Sequence, residues 1–404
     1  MPTVAIIATL DTKGREAQFL RDQVRTAGAD PLVIDTGIRE PLGCTPDISR
    51  HDVAAAGGAD VAALATANDR GQAVTAMGEG LRVLLGRLVR DGEVQAVLGI
   101  GGSGGTSIAA TACRALPTGF PKLIVSTVAG GPIASHLGTK DITLMPSVAD
   151  IEGLNRISIP ILTNAAAAAA GMARSRPPDL PTRPLIGLTM FGVTTPCVKA
   201  ACAVLERAGY EPVVFHAVGT GGKAFESLIT DGFFAGVLDV TTTEWADELV
   251  GGVLSAGPER LDAAGRTGTP QVVCPGALDM VNFGPRETVP AKFAERKLYL
   301  HNPQVTLMRT TPEENRRLGE ILARKLNATT GPTTLALPLR GVSAMDNAGQ
   351  PFDDPEARAE LRDTLRLNID RTRVELLELD LHINDPDFAE AIAKRLLAHV
   401  GHGG

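Results

Sequence analysis

The stretch Ala96-Val97-Leu98-Gly99-Ile100-Gly101-Gly102-Ser103-Gly104-Gly105-Thr106 decides how this chain is read. A short apolar run ends in a turn holding four glycines, and a helical pattern follows from Thr106 to Leu116. A buried strand that feeds a glycine-rich turn and then a helix is the repeating unit of a parallel sheet covered on both faces. Glycines let the backbone N–H groups of such a turn approach an anion, and the helix dipole adds attraction of up to about 1 kcal/mol. The turn is therefore read as an anion cradle, with a nucleotide phosphate as its first candidate guest and Ser103 and Thr106 as added hydroxyl donors.

The same alternation extends outward. Apolar runs at 5–10, 32–34, 61–65, 96–100 and 123–125 alternate with helical stretches, and the pattern resumes at 185–190, 213–215, 236–240, 272–274 and 334–337. Between them lies a Pro- and Arg-rich segment, 175–184, that can continue neither a helix nor a central strand. The expected fold is α/β, with two doubly wound, Rossmann-like domains and mostly parallel sheets. The domains are placed at 1–176 and 185–404 with a linker at 177–184. The halves also match in detail. Ala27-Gly28-Ala29-Asp30-Pro31-Leu32 follows the first strand at the spacing with which Ala208-Gly209-Tyr210-Glu211-Pro212-Val213 follows residue 185, as in a duplicated strand–helix–strand unit.

Bulk properties narrow the function. A chain of 404 residues exceeds the size at which a single core keeps growing. Its 44% hydrophobic and 21% charged residues describe a globular protein. A net charge of −7 without a long Lys/Arg run excludes nucleic acid and anionic membranes as expected partners. No basic leader opens the sequence, and the alanine-rich run near 165–172 is too short to cross a bilayer. Cys44, Cys113, Cys197, Cys202 and Cys274 show no CxxC spacing, as expected of buried thiols in a cytoplasmic protein.

Ligands of an open parallel sheet collect at the carboxyl ends of its strands. In the first half this rule selects Asp11-Thr12-Lys13-Gly14, the turn at 66–71, the glycine turn and the segment 126–132. Walker A is excluded because no Gly-Lys-Ser/Thr follows the glycines. Gly99, Gly101 and Gly104 match the letters of the dinucleotide fingerprint, but no acidic residue closes the next strand. Lys13 and Arg70 are the candidate cations for a polyphosphate. Asp11 or Asp69 could hold a magnesium ion riding on it, and helix capping accounts for either aspartate equally well.

The second half offers Gly219-Thr220-Gly221-Gly222-Lys223, Glu244 after the run at 236–240, Asp279 after Cys274-Pro275-Gly276, and Arg309 after 305–308. Arginine can clamp a carboxylate through two hydrogen bonds, so this set suits a small anionic substrate. His216 and His301 are candidate general bases, and no histidine pair has metal-ligand spacing. The Gly-x-Ser-x-Gly elbow of serine hydrolases is absent.

Taken together, Ala8-Thr9-Leu10-Asp11-Thr12-Lys13-Gly14, the glycine turn, Leu278-Asp279-Met280-Val281-Asn282-Phe283-Gly284, His301-Asn302-Pro303, Met308-Arg309-Thr310-Thr311, Gly341-Val342-Ser343-Ala344-Met345-Asp346 and His382-Ile383-Asn384-Asp385-Pro386 resemble the Tm-1-like ATP-binding family, UPF0261. The resemblance spans essentially the whole chain. It implies two Rossmann-like domains, ATP with Mg2+ bound to the first, and a homodimer. Carried over by motif, the nucleotide contacts are Lys13, Gly101, Gly102, Ser103 and Gly104, with Thr66 and Arg70. The expected function is Mg-ATP binding, with an enzyme reaction on a small anionic substrate between the domains served by Glu244, Asp279, His301 and Arg309. Two alternatives stand beside it: a nucleotide-independent lyase or hydrolase of small acids, and a regulatory protein that ATP only stabilises.

Overall fold

The computed structural model describes residues 1–131, 133–179 and 182–401. Pro132, at the end of the 126–132 segment, and Leu180 and Pro181, within the linker, lie outside the described residues. The chain divides into two compact units, Met1–Asp179 and Leu180–Gly404.

Unit 1 runs β1 (Thr3–Ala8), α1 (Leu10–Thr26), β2 (Asp30–Asp35), α2 (Arg50–Ala56), α3 (Val61–Ala67), α4 (Arg70–Arg90), β3 (Ala96–Gly101), α5 (Ser103–Arg114), β4 (Lys122–Ser126), α6 (Ala134–Leu137), β5 (Thr143–Pro146) and α7 (Ser158–Arg174). Its five strands lie in the order β2-β1-β3-β4-β5, all parallel. The two-residue period of β1 sends Val4, Ile6 and Ala8 into a core shared with α1 and α7, and Ala5 and Ile7 into one shared with α4 and α5. Each fully buried Ile or Leu there contributes roughly 1.5–3 kcal/mol. The alanine run is one stripe of α7: Ala165, Ala166, Ala169, Ala170 and Ala173 are all buried against the sheet.

Two expectations are corrected in this unit. The run 61–65 is not a strand but the start of α3, because Asp60 accepts a hydrogen bond from Ala63 N and caps an alanine-rich turn of high helix propensity. The turn at 66–71 therefore joins two helices instead of following a strand, with Asn68 left-handed at φ 50°.

Unit 2 runs β6 (Leu185–Met190), α8 (Thr195–Arg207), β7 (Glu211–His216), α9 (Thr220–Thr230), β8 (Phe234–Thr241), α10 (Glu244–Val250), α11 (Ala263–Thr267), β9 (Gln271–Gly276), β10 (Met280–Phe283), β11 (Leu298–Asn302), β12 (Val305–Arg309), α12 (Pro312–Asn327), β13 (Thr333–Pro338), α13 (Pro355–Asn368), β14 (Val374–Leu379) and α14 (Pro386–Gly401). Six parallel strands take the order β14-β13-β9-β8-β6-β7. Read from the other side, this repeats the order of unit 1 with one strand added: β6 stands where β1 does, β7 for β2, and β8 for β3. The strands β10-β12-β11 form a separate antiparallel sheet inserted after β9.

Candidate functional site

The carboxyl ends of β1, β3 and β4 lie side by side in unit 1, since Ile7 pairs with Gly99 and Gly101 with Ser126. α5 begins at Ser103, three residues before the helical pattern suggests, so the glycines form its first turn. The four do different jobs. A Cβ on Gly101 would lie 2.7 Å from Gly105 Cα, and one on Gly105 would lie 3.2 Å from Ile100 O, so these two permit the tight strand-to-helix turn. A Cβ on Gly102 would meet only Thr127 Oγ1 at 3.7 Å, and one on Gly104 only Arg70 and Val74 at 3.5 Å or more. Neither has a positive φ, so the fold itself does not demand glycine at 102 or 104.

α5 is also uncapped. Its N-cap Gly102 supplies no side-chain acceptor, whereas Ser49, Asp60 and Asp69 cap α2, α3 and α4. Its first N–H groups need an acceptor from elsewhere. Beside them lies the Arg70 guanidinium, the group that a Gly104 side chain would meet. A cation next to the positive end of a helix is unfavourable until an anion sits between them. Ser103 is exposed and free to donate. Thr106, expected as a donor, is instead fully buried, with its hydroxyl 2.7 Å from Ser126 Oγ and 3.3 Å from Gly101 O.

Lys13 stands at a local departure from helical geometry in the first turn of α1 (φ −122°, ψ 21°), and its Nζ lies 3.4 Å from Glu152. The neighbouring Gly14 is a packing requirement, because a Cβ there would lie 1.8 Å from Leu42 O. Asp11 accepts from Ile38 N and Arg39 N, both at 3.2 Å, and Asp69 caps α4 through Gln72 N at 3.0 Å. Thr66 is exposed within α3 and donates to Ala62 O at 2.8 Å. Lys13, Arg70 and Gly101–Gly104 are thus placed on the carboxyl side of one sheet, while Thr66 points its hydroxyl back into its own helix.

The second unit is different. At the position equivalent to the glycine turn, Thr241, Thr242, Thr243 and Glu244 are all fully buried. Glu244 accepts from Gly219 N at 2.7 Å and Gly222 N at 3.1 Å, filling the glycine turn before α9 with an internal carboxylate. Its other oxygen receives Arg260 Nε at 2.7 Å. Arg260, which sequence reading passed over because no motif surrounds it, also binds Asp239 and Glu226 and is 1% exposed.

Arg309 and Asp279 do come together, in a second buried cluster. Arg309 donates to Phe352 O at 2.9 Å, Thr310 Oγ1 at 2.9 Å and Asp346 at 3.2 Å. Ser343 Oγ donates to Asp279 at 2.8 Å, while the other Asp279 oxygen is buried without a partner. Burial, and then the charge of Asp346, push the Asp279 carboxyl up to about 7. His301 lies elsewhere, exposed on β11 in the irregularity between Leu300, which pairs with Thr306, and Asn302, which pairs with Val305, three to four strand rises or roughly 10–14 Å along the sheet from Arg309. His382 is a structural histidine, with Nε2 2.9 Å from Ser343 O. Among the described residues, no group of three or more His, Cys, Asp or Glu is arranged to hold a metal ion by itself, and no helix is long and apolar enough to cross a membrane.

Fold and site define a two-unit α/β protein whose first unit has an open, glycine-lined helix N-terminus, while the corresponding turn of the second is filled by Glu244. The chain belongs to the uncharacterised protein family UPF0261: the family's N-terminal domain matches residues 2–178 and its C-terminal domain residues 183–400. A UPF0261 protein of Clostridium tetani is 49% identical over 395 residues, covering 98% of each chain. The tomato (Solanum lycopersicum) ToMV resistance protein Tm-1(GCR237) is 41% identical over 418 residues, which cover 98% of this chain and 55% of the tomato protein. A crystal structure of UDP-N-acetylglucosamine 2-epimerase aligns over 100% of this chain and 97% of its own at 12% identity, with a TM-score of 0.24, too loose a superposition to carry an argument.

Proposed function

We propose that unit 1 binds Mg-ATP at the carboxyl edge of its sheet. The observation that carries this reading is the uncapped first turn of α5, opened by two glycines the fold does not need and faced by the Arg70 guanidinium. The N–H groups of that turn and Ser103 Oγ would hold phosphate oxygens, with Arg70 and Lys13 compensating their charge. Magnesium would arrive with the nucleotide and would supply charge compensation for its phosphates, a role that needs only one or two protein carboxylates. Asp11, which follows β1, and Asp69, which precedes Arg70, are the candidate carboxylates. The same reading takes the chain as a homodimer, which sedimentation at micromolar concentration checks.

The arrangement gives no support to a nucleotide-independent lyase or hydrolase built on Glu244, Asp279, His301 and Arg309. Three of these are buried in internal ion and hydrogen-bond networks, and the fourth stands apart from Arg309.

Calorimetry of the full chain with Mg-ATP tests the proposal. Lys13→Ala and Arg70→Ala are each expected to weaken binding about tenfold or more, the worth of one hydrogen bond to a charged group. Gly104→Ala, whose methyl the protein alone accommodates, should fold normally and also lose affinity. No heat of binding from the wild-type chain, or unchanged affinity in Lys13→Ala, would sink the reading.

A further inference from the structure

Lys13 is paired with a carboxylate from the far side of the sheet. β5 is the edge strand, separated from β1 by β3 and β4, or three strand spacings totalling about 14 Å. Yet Glu152, six residues after β5 ends at Pro146, meets Lys13 at 3.4 Å. Six residues span at most about 20 Å, so segment 147–152 crosses from β5 to the start of α1 with little slack.

The segment is pinned at both ends and strained between them. Ser147 N donates to Ser126 O at 3.1 Å, beside the end of β4. Ile151 is 2% exposed in the core beneath α1, and Gly153 N donates to Glu16 at 2.6 Å. Between these anchors, Val148 adopts φ 65° and is 80% exposed. A β-branched residue in the left-handed region is held there by its surroundings. No buried contact of its own side chain rewards that conformation.

We propose that segment 147–153 is a strap latched by the Lys13–Glu152 contact, and that it competes with nucleotide phosphate for Lys13. This rests on the nucleotide reading above. Lys13 is 13% exposed and Glu152 is 84% exposed, so the carboxylate is the partner that can leave into water. A polyphosphate on the α5 turn draws the ammonium group to itself and repels both Glu152 and the exposed Asp150. The latch opens, and Val148 is released to leave its left-handed conformation. Glu152 is accordingly a positioning residue, lowering affinity in the empty protein and coupling occupancy to movement of the strap.

Two measurements on the full chain separate the proposal from the reading beneath it. Glu152→Gln is expected to tighten Mg-ATP binding about two- to fivefold, the range of one exposed ion pair. Amide exchange across 148–153 is expected to quicken in wild-type protein on adding Mg-ATP, and to be already quick in nucleotide-free Glu152→Gln. If wild-type protein binds Mg-ATP while Glu152→Gln binds it no more tightly, or the strap exchanges equally in both states, the latch is wrong and the nucleotide site stands. If the wild-type chain binds no Mg-ATP, both fall.

Discussion

Replacing Arg260 with methionine is expected to destabilise the second unit by about 3–5 kcal/mol, the cost of stranding buried charges without their partner. The effect is at the upper end because one guanidinium serves three carboxylates: Asp239, Glu226 and Glu244. Glu244 in turn fills the N-terminal turn of α9, so the loss spreads from the ion cluster to a helix end. In a chemical melt of the full chain followed by tryptophan fluorescence, Trp245 reports this unit directly, since its indole donates to Arg260 O. Adding Asp239→Asn and Glu244→Gln to Arg260→Met should recover part of the stability by removing the stranded charges. A single Arg260→Met variant that melts within experimental error of wild type would show that the cluster is not what holds the unit together.

The second large effect is of pH. Burial pushes the Asp247 carboxyl up to about 7 from its ordinary value near 3.8, and it moves Glu226 and Asp346 the same way. A carboxyl whose folded pKa is raised binds its proton more tightly in the folded state. The contribution is therefore fully present below about pH 4 and lost as pH rises through about 7. A shift of this size corresponds to roughly 4 kcal/mol for Asp247 alone, as an upper figure. As placed, the local hydrogen bonds oppose burial and favour the ionised form, since Asn282 N, Asn282 Nδ2 and Leu254 N all donate to the carboxylate. Asp247 receives Asn282 Nδ2 at 2.7 Å while Asn282 Oδ1 is buried without a partner. Turning that amide over lets Oδ1 accept the carboxyl proton. Thermal melts at a series of pH values should therefore show the second unit losing stability from about pH 4 to about pH 7, and Asp247→Asn should flatten the slope. A melting temperature that rises over this interval would contradict the assignment.

Most of the fold was legible because it is written in short-range patterns. β1 and β3 are apolar on both faces and end at glycine or at a helix start, which is how central strands of a covered parallel sheet must read. α3 reads as a strand because Val61-Ala62-Ala63-Leu64-Ala65 is apolar throughout, and only the Asp60 cap distinguishes a helix there. The site divides along the same line. The glycine turn announces itself locally. Glu244, Asp279 and Arg309 look equally exposed in sequence, each following an apolar run, and only the three-dimensional packing reveals that their partners are other side chains of the same unit. Glu152 carries no local signal at all, since its partner Lys13 lies 139 residues away in the chain.

The internal carboxylate at the α9 turn has a consequence for how the two halves answer to the cell. A counter-ion carried on the chain has a fixed local concentration, so the α9 turn of the second unit needs no anion from the surrounding solution. The corresponding turn of the first unit carries no such internal carboxylate; on the nucleotide reading proposed above its charge is supplied from outside, and a guest that binds only the folded form would raise that unit's melting temperature by mass action.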